Sequence, residues 1–369
     1  MDQNIVFDSA LEAQKFAKEN PGTIISRVEN SNRYTVLTSK HIQQSIFKQK
    51  SKLSNFTPQK ILNYLNQHII SQEKAKKDIA LAMYYHSLKT KYHTKEELGV
   101  NGPMMIVGST GSGKTFIVQK ACEYMDTVFI HVDASSMVPE GIQGYSISVL
   151  GKEILAKANY NIHRASHCVV FFDEIDKLFN SEDKSEFGGK VANQLLRLIE
   201  GSTIKVSGSS IKELDTSNIQ FILGGAFQWI LDEKSTRRSA VGFTSEAKEK
   251  DCFEITLEDL FKEGIPKELL GRMSTIVNLQ KLSEDHYFSI LTNSKSSPLK
   301  EFVSKVEFHG DSVDISEETL RQVSKVAAEN KLGVRAIKQI LTRMFSDALF
   351  YAADEEQKTH TVTYKEHMT

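Results

Sequence analysis

Residues 103–125 read PMMIVGSTGSGKTFIVQKACEYM, and this stretch decides the fold. Met104 to Val107 form a short apolar run suited to a buried strand, and a pattern of good helix formers begins at Lys114. Between them, Gly108-Ser109-Thr110-Gly111-Ser112-Gly113-Lys114-Thr115 fits the GxxxxGK[ST] phosphate-loop pattern. Its glycines let the backbone curl so that N–H groups and the helix N-terminus surround phosphates. Lys114 adds a compact positive charge, and Thr115 offers its hydroxyl to magnesium. ATP and Mg2+ are therefore the expected cofactors.

Two further apolar runs extend the pattern outward. "HCVVFFDEIDKLF" (residues 167–179) is a second buried strand ending in two carboxylates, and "NIQFILGGAF" (residues 218–227) is a third. Strands alternating with helices predict an α/β fold with a parallel sheet, its ligand at the strands' C-terminal ends. Adjacent carboxylates at the end of a buried strand repel each other and lose solvation unless a cation is present, as a metal nucleotide provides. Asp173 is accordingly expected to hold magnesium through water, and Glu174 to orient and deprotonate the attacking water.

Upstream, residues 57–89 predict two helices, the second capped at Ser71, with Ala75, Ile79, Ala82, Met83 and His86 at helical spacing. The N-terminus reads as a small αβ unit. It has a strand at Ile5–Phe7, a helix capped by Asp8/Ser9, a Pro21-Gly22 stop, and strands in "TIISRVE" and "RYTVLT". The lysine-rich "KQKSKLSNFTPQK" reads as a linker. After Leu282 the pattern is mostly helical, with a late strand in "THTVTY". The expected organisation is a small αβ domain over 1–45, a linker over 46–56, a large ATPase domain over 57–280 and a small, mainly helical domain over 281–369.

The 369 residues, 40% hydrophobic and 25% charged, are those of an ordinary globular protein. Lys plus Arg total 46 against 47 for Asp plus Glu, a net charge of -1, so no basic field points to nucleic acid or an anionic membrane. The 3 cysteines, Cys122, Cys168 and Cys252, form no CxxC pair, which argues against a zinc site or disulfides and fits a reducing cytoplasm. Neither a leader nor a membrane-spanning run is expected.

In order along the chain, "HIISQEKAKKDIALAMYYH", "GSTGSGKT", "FFDEIDK", "VANQLLRLIEGS", "FILGGAF", "EGIPKELLGRM" and "LGVRAIKQI" resemble the ClpX family of AAA+ protein unfoldases. The resemblance runs from about Thr57 to the C-terminus. It implies that Arg272 in "LLGRM" is an arginine finger and Arg335 in "LGVRAI" a sensor-2 arginine. It also implies a homo-hexameric ring with sites between subunits, acting on protein substrates and partnered by the ClpP peptidase. Ile69 and Ile70 match family positions that pack on adenine, although plain core isoleucines would read the same way.

The sequence departs from the family pattern in several places. The pore loop is Gly141-Ile142-Gln143-Gly144, followed by Tyr145, with no aromatic at its centre. Ile142 lacks the flat area of an aromatic and grips less strongly, so either Tyr145 takes over by a one-turn shift in the loop, or the machine handles loosely folded substrates. "EFGGKVANQLLRLIEGS" resembles the second pore loop and its helix, with Gly188-Gly189 as the mobile part. A basic pore-entrance loop is replaced by "TIKVSGSSIKELDTS". The zinc module is missing, and residues 1–45 stand in its place, an expected adaptor or substrate site. Val241-Gly242-Phe243 matches an Ile-Gly-Phe-type tripeptide that docks on ClpP, and "LGGAF" leaves the sensor-1 residue unassigned. A nucleic-acid motor and a non-hydrolysing nucleotide-gated scaffold are the competing classes. Charge speaks against the first, and Glu174, Arg272 and Arg335 against the second.

Overall fold

Three apolar runs too short for helices, each fully or almost fully buried, make the centre of this chain a sheet with both faces covered. The computed structural model describes residues 5–7, 9–19, 24–27, 34–37, 56–92, 102–179, 186–206, 212–240, 254–262, 264–330, 333–352 and 359–364. Val241-Gly242-Phe243, most of the linker and Cys252 lie outside them. The chain divides into Met1–Thr57 and Pro58–Thr369.

In the first unit, β1 (Ile5–Phe7), β2 (Ile24–Arg27) and β3 (Tyr34–Leu37) form an antiparallel sheet with β3 in the middle. Its helix, Ala10–Glu19, starts where the Ser9 hydroxyl accepts the Glu12 N–H at 3.3 Å, an N-cap bond.

In the second unit, β4 (Met104–Val107), β5 (Phe129–Asp133), β6 (Val169–Asp173), β9 (Gln220–Gly225) and β10 (Thr275–Asn278) form a parallel sheet in the order β10-β4-β9-β6-β5. The antiparallel pair β7 (Thr203–Val206) and β8 (Lys212–Asp215) lies outside it. Strand β4 sits between β9 and β10, so the loop after it opens at the crevice where chain connections leave in opposite directions. Strand β10, a short TIVN, was not read from the sequence. The helices Pro58–His68 and Glu73–Tyr92 precede the sheet, burying Ile61, Leu65, Ile79 and Met83.

The expected Ser71 cap is corrected. Ser71 and Gln72 both have positive φ, 61° and 65°, and the helix begins only at Glu73. Gln72 lies with its side chain turned to residue 280, as described below. Gly188-Gly189, expected in a mobile loop, lie inside the helix Glu186–Glu200.

After Leu282, five helices among the described residues surround a separate core built around Leu291, Val306, Val323, Ile337, Leu341 and Phe345. The expected late strand, β12 (Thr359–Thr361), pairs in parallel with β11 (Ser312–Asp314). Among the described residues no helix is long and apolar enough to cross a membrane.

Candidate functional site

The phosphate loop joins β4 to the helix Lys114–Tyr124. Gly111 and Gly113 take φ of 76° and 95°, conformations that side chains rarely adopt, and a Cβ on Gly113 would meet nothing within 4 Å. The loop therefore presents bare backbone at the head of an eleven-residue helix. The Lys114 ammonium is buried and donates to the carbonyls of Gly108 (2.7 Å) and Ser109 (3.3 Å). Burial lowers its pKa, with the Arg335 charge adding to the effect and Asp173 opposing it. The Ser112 hydroxyl is buried without a hydrogen-bond partner. A buried ammonium resting on its own loop, an unsatisfied hydroxyl and two left-handed glycines fit a bound phosphate chain.

Across the loop stands the end of β6. Asp173 Oδ2 accepts from Thr115 Oγ1 at 2.9 Å, and Oδ1 accepts the Glu174 N–H at 2.9 Å. Burial pushes the Asp173 carboxyl up, but hydrogen bonds from His131 and Thr115 and the Lys114 charge hold it below the usual range. The charged form needed for cation binding is thus favoured. Glu174 adopts a left-handed backbone, φ 57°, and its carboxylate pairs with Lys177 at 2.5 Å. Such strain in a non-glycine residue aims the side chain out of line with the strand.

A cavity of about 380 Å³ spreads from this loop, lined by Thr110 to Phe116, Asp173, Glu174, Asp176, Ile69, Ile70, Leu282, Ile290 and Arg335, among others. Lys114, Thr115, Asp173, Glu174 and Arg335 are therefore brought together, with Ile69 and Ile70 at the apolar part of the wall. Arg335 arrives on the helix Val334–Met344, whose Val334 N–H donates to the Gly111 carbonyl at 3.4 Å. A Cβ on Gly333 would stand 2.8 Å from that same carbonyl, so only glycine lets the helix approach.

Arg272 is not in the cavity. It lies half-exposed after the helix Lys267–Leu270 and donates to Glu200 Oε1 at 2.7 Å. Ile142 is 41% exposed at the tip of its loop. The Tyr145 alternative is corrected, because that ring packs against the central core and its hydroxyl donates to Glu153 Oε2 at 2.7 Å. Gly141 and Gly144 take φ of 90° and 150°, and Gln143 completes the exposed turn.

Several site residues escaped the sequence reading. Gln72 is buried, donates to the Gln280 carbonyl at 2.8 Å and accepts the Gln280 N–H at 2.8 Å. It ties the segment bearing Ile69 and Ile70 to the passage between sheet and C-terminal helices. Ser294 Oγ donates to the His68 carbonyl at 2.7 Å, reinforcing the tie. Asp176 accepts the N–H groups of Ala226 (3.2 Å) and Phe227 (3.1 Å), so a buried carboxylate of raised pKa fills the place behind "LGGAF". The quoted "SQEK" and "DEID" held both residues, but only the tertiary contacts give them roles.

A phosphate loop, a paired-acid strand end and a cation from an appended helical region define an ATPase of the AAA class. The sequence profile described as "AAA domain (Cdc48 subfamily)" matches residues 101–276. The chain is 29% identical over 329 residues to the ATP-dependent Clp protease ATP-binding subunit ClpX of Bacteroides fragilis, covering 83% of this chain and 79% of that protein. It is 27% identical to the ATP-dependent Clp protease ATP-binding subunit ClpX 2 of Wolinella succinogenes, covering 85% and 82%. The corresponding protein of Bacteroides thetaiotaomicron is 28% identical, covering 83% and 80%. Over these spans the chain is similar to proteins described as the ATP-binding subunit ClpX of the Clp protease.

Proposed function

We propose that this chain is an ATP-driven protein unfoldase or remodeller that works as a ring of six copies in the cytoplasm and passes threaded protein substrates to the ClpP peptidase. The observation that carries this reading is the contact of Gly333, Val334 and Arg335 with the phosphate-loop cavity. Through it, nucleotide occupancy can change the angle between sheet and helical region, a stroke that a ring can apply to a polypeptide.

Bound ATP with Mg2+ supplies the phosphoanhydride whose cleavage powers the stroke. Lys114 would exchange its loop carbonyls for phosphate oxygens, while the Thr115 hydroxyl and, through water, Asp173 would hold the cation. Glu174 takes the proton of the attacking water, with its release from Lys177 required first. Arg335 stabilises charge on the terminal phosphate from within the chain, and Arg272 does so from the neighbouring subunit.

Ile142 and its neighbours Gly141, Gln143 and Gly144 push the substrate in the pore. Val241-Gly242-Phe243 docks on ClpP, a weak contact multiplied around a ring. Residues 1–45 select an adaptor or substrate. The relatives' shared description as the ATP-binding subunit of a Clp protease supports the ClpP assignment.

The test is ATP-dependent degradation of loosely folded reporter proteins by this chain plus ClpP, wild type against a deletion of residues 241–243, with ATPase recorded in parallel. The expected result is degradation by wild type, lost in the deletion with ATPase retained. Equal degradation by both forms would remove the docking role. ATPase without degradation by either would favour peptidase-independent disassembly of protein complexes.

A further inference from the structure

Two residues just past the ends of the neighbouring strands β6 and β9 take a left-handed backbone although neither is glycine. Glu174 has φ 57° and Phe227 has φ 46°. Such conformations persist only where the surroundings over-determine them. One side chain links the two. Asp176 lies in the short helical turn Ile175–Leu178, two residues after Glu174, and is buried at 6% exposure while lining the cavity. Its Oδ2 accepts the Ala226 N–H at 3.2 Å and the Phe227 N–H at 3.1 Å.

The link continues to the phosphate loop. The Gly225 carbonyl, at the end of β9, accepts the Gly108 N–H at 3.2 Å. A Cβ on Gly225 would lie 2.4 Å from the Phe227 ring and 3.1 Å from Asp176 Oδ1, so the strand end is packed closely on the carboxylate. On the other side, the Glu174 N–H donates to Asp173 Oδ1 at 2.9 Å, the Glu174 carbonyl accepts the Lys177 N–H at 3.0 Å, and Ile175 is fully buried. A chain of hydrogen bonds thus runs from the end of β6, through Asp176 and the turn after β9, to the first residue of the phosphate loop. The backbone of Glu174 is fixed by it, while the Glu174 side chain stays free to leave Lys177.

We propose that Asp176 is a positioning residue for hydrolysis: by anchoring the turn after Glu174 to the Ala226 and Phe227 N–H groups, it sets where Glu174 stands relative to the phosphate loop. The inference rests on the ATPase reading above, in which Glu174 takes the proton of the attacking water. Asp176 acts through Glu174 and needs no contact with the nucleotide. Phosphate binding belongs to Lys114 and the loop backbone, so loss of the anchor displaces the base and spares affinity. A base displaced by a fraction of its reach loses alignment with the water it must deprotonate.

The experiment measures ATP turnover, affinity for the β,γ-methylene analogue of ATP and thermal unfolding on the full chain and its variants. Asp176→Ala removes the acceptor without adding bulk, and should lose about 10²-fold in turnover at saturating ATP while affinity stays within about threefold of wild type. Asp176→Glu keeps the charge but reaches one methylene further, and should show the same split. Asp176→Asn keeps an acceptor oxygen at the original reach without the charge, and should stay within about tenfold of wild type in turnover. Should Asp176→Ala not fold, the comparison of Asp176→Glu with Asp176→Asn decides. Turnover that survives in Asp176→Glu and is lost in Asp176→Asn makes the charge the functional feature and overturns the proposal. Equal loss of affinity and turnover overturns it as well, as does a lowered melting temperature with turnover unchanged. If Glu174→Gln hydrolyses ATP as fast as wild type, the base assignment itself is wrong and the inference falls with it; if Glu174→Gln is inactive while Asp176→Ala keeps full turnover, only the positioning role fails.

Discussion

Glu174 departs from the sheet backbone and is held by one exposed lysine, whereas Asp173 is fixed by three partners. Under the proposed mechanism, that asymmetry separates the group that moves from the one that stays. Glu174→Gln should leave nucleotide affinity near wild type and slow phosphate release by about 10²- to 10⁴-fold, the usual contribution of a general base, as read by binding and turnover on one preparation. Lys114→Ala should instead weaken nucleotide binding, by roughly 10- to 150-fold if the phosphate contact contributes 1.5–3 kcal/mol. His86 gives a prediction independent of the site. It is buried, its Nε2 donates to the His167 carbonyl at 2.9 Å, and burial, with the His167 and Lys89 charges, lowers its pKa from 6.5 to about 4. The unfolded chain therefore binds the extra proton between those values. Stability is complete above about pH 6.5 and falls as pH drops toward 4. The loss should be about 2 kcal/mol at pH 5 relative to pH 7.5. Urea denaturation at both pH values, wild type against His86→Gln, checks it, and equal losses in the two proteins would remove His86 as the cause.

The helix Val334–Met344 meets the phosphate loop only because position 333 lacks a side chain. Gly333 has φ 61° and ψ -136°, where any other residue is strained by about 1–3 kcal/mol, and a Cβ would push against Gly111. Gly333→Ala should thus withdraw the helix and carry Arg335 with it. ATP affinity and turnover should both fall, while the phosphate loop stays folded. Nucleotide titration alongside thermal unfolding would separate this from general instability, since a lowered melting temperature with unchanged affinity contradicts the coupling. The same contact shows what could be read from sequence. The phosphate loop and the Asp173-Glu174 strand end were legible because their chemistry is written in consecutive residues. Strand β10 was not, because four residues of TIVN carry no period and become a strand only against β4. Tyr145 was open to two readings until the fold brought Glu153 within reach of its hydroxyl. Gln72 and Gln280 lie too far apart in sequence for any local pattern to pair them. Gly188-Gly189 suggested mobility, yet the apolar face of Val191, Leu195 and Leu198, all buried, carries them into a helix.

At the scale of the whole molecule, the decisive residue is the one its own cavity leaves out. Arg272 is half-exposed and bound to Glu200, a surface pair that contributes little to stability and is easily exchanged. An arginine so placed cannot act in the cavity of its own chain in this arrangement, but a rotationally closed ring can present it to the next subunit's phosphates. Subunit mixing tests this directly. Arg272→Ala keeps a complete cavity and lacks the finger, and should lose about 10³- to 10⁵-fold in turnover. Glu174→Gln lacks the proposed base and keeps the proposed finger. If Arg272 acts in trans, an interface pairing the cavity of an Arg272→Ala subunit with the finger of a Glu174→Gln subunit is complete. Random mixing at equal amounts makes about one interface in four complete, so ATPase should return to about a quarter of wild type in the closed ring. If Arg272 acts within its own chain, every subunit in the mixture lacks one group and no activity returns. Glu200→Gln offers a check on the release step: freeing Arg272 from its carboxylate should leave turnover equal or raised, whereas a loss as deep as that of Arg272→Ala would make the Arg272–Glu200 pair itself the functional unit.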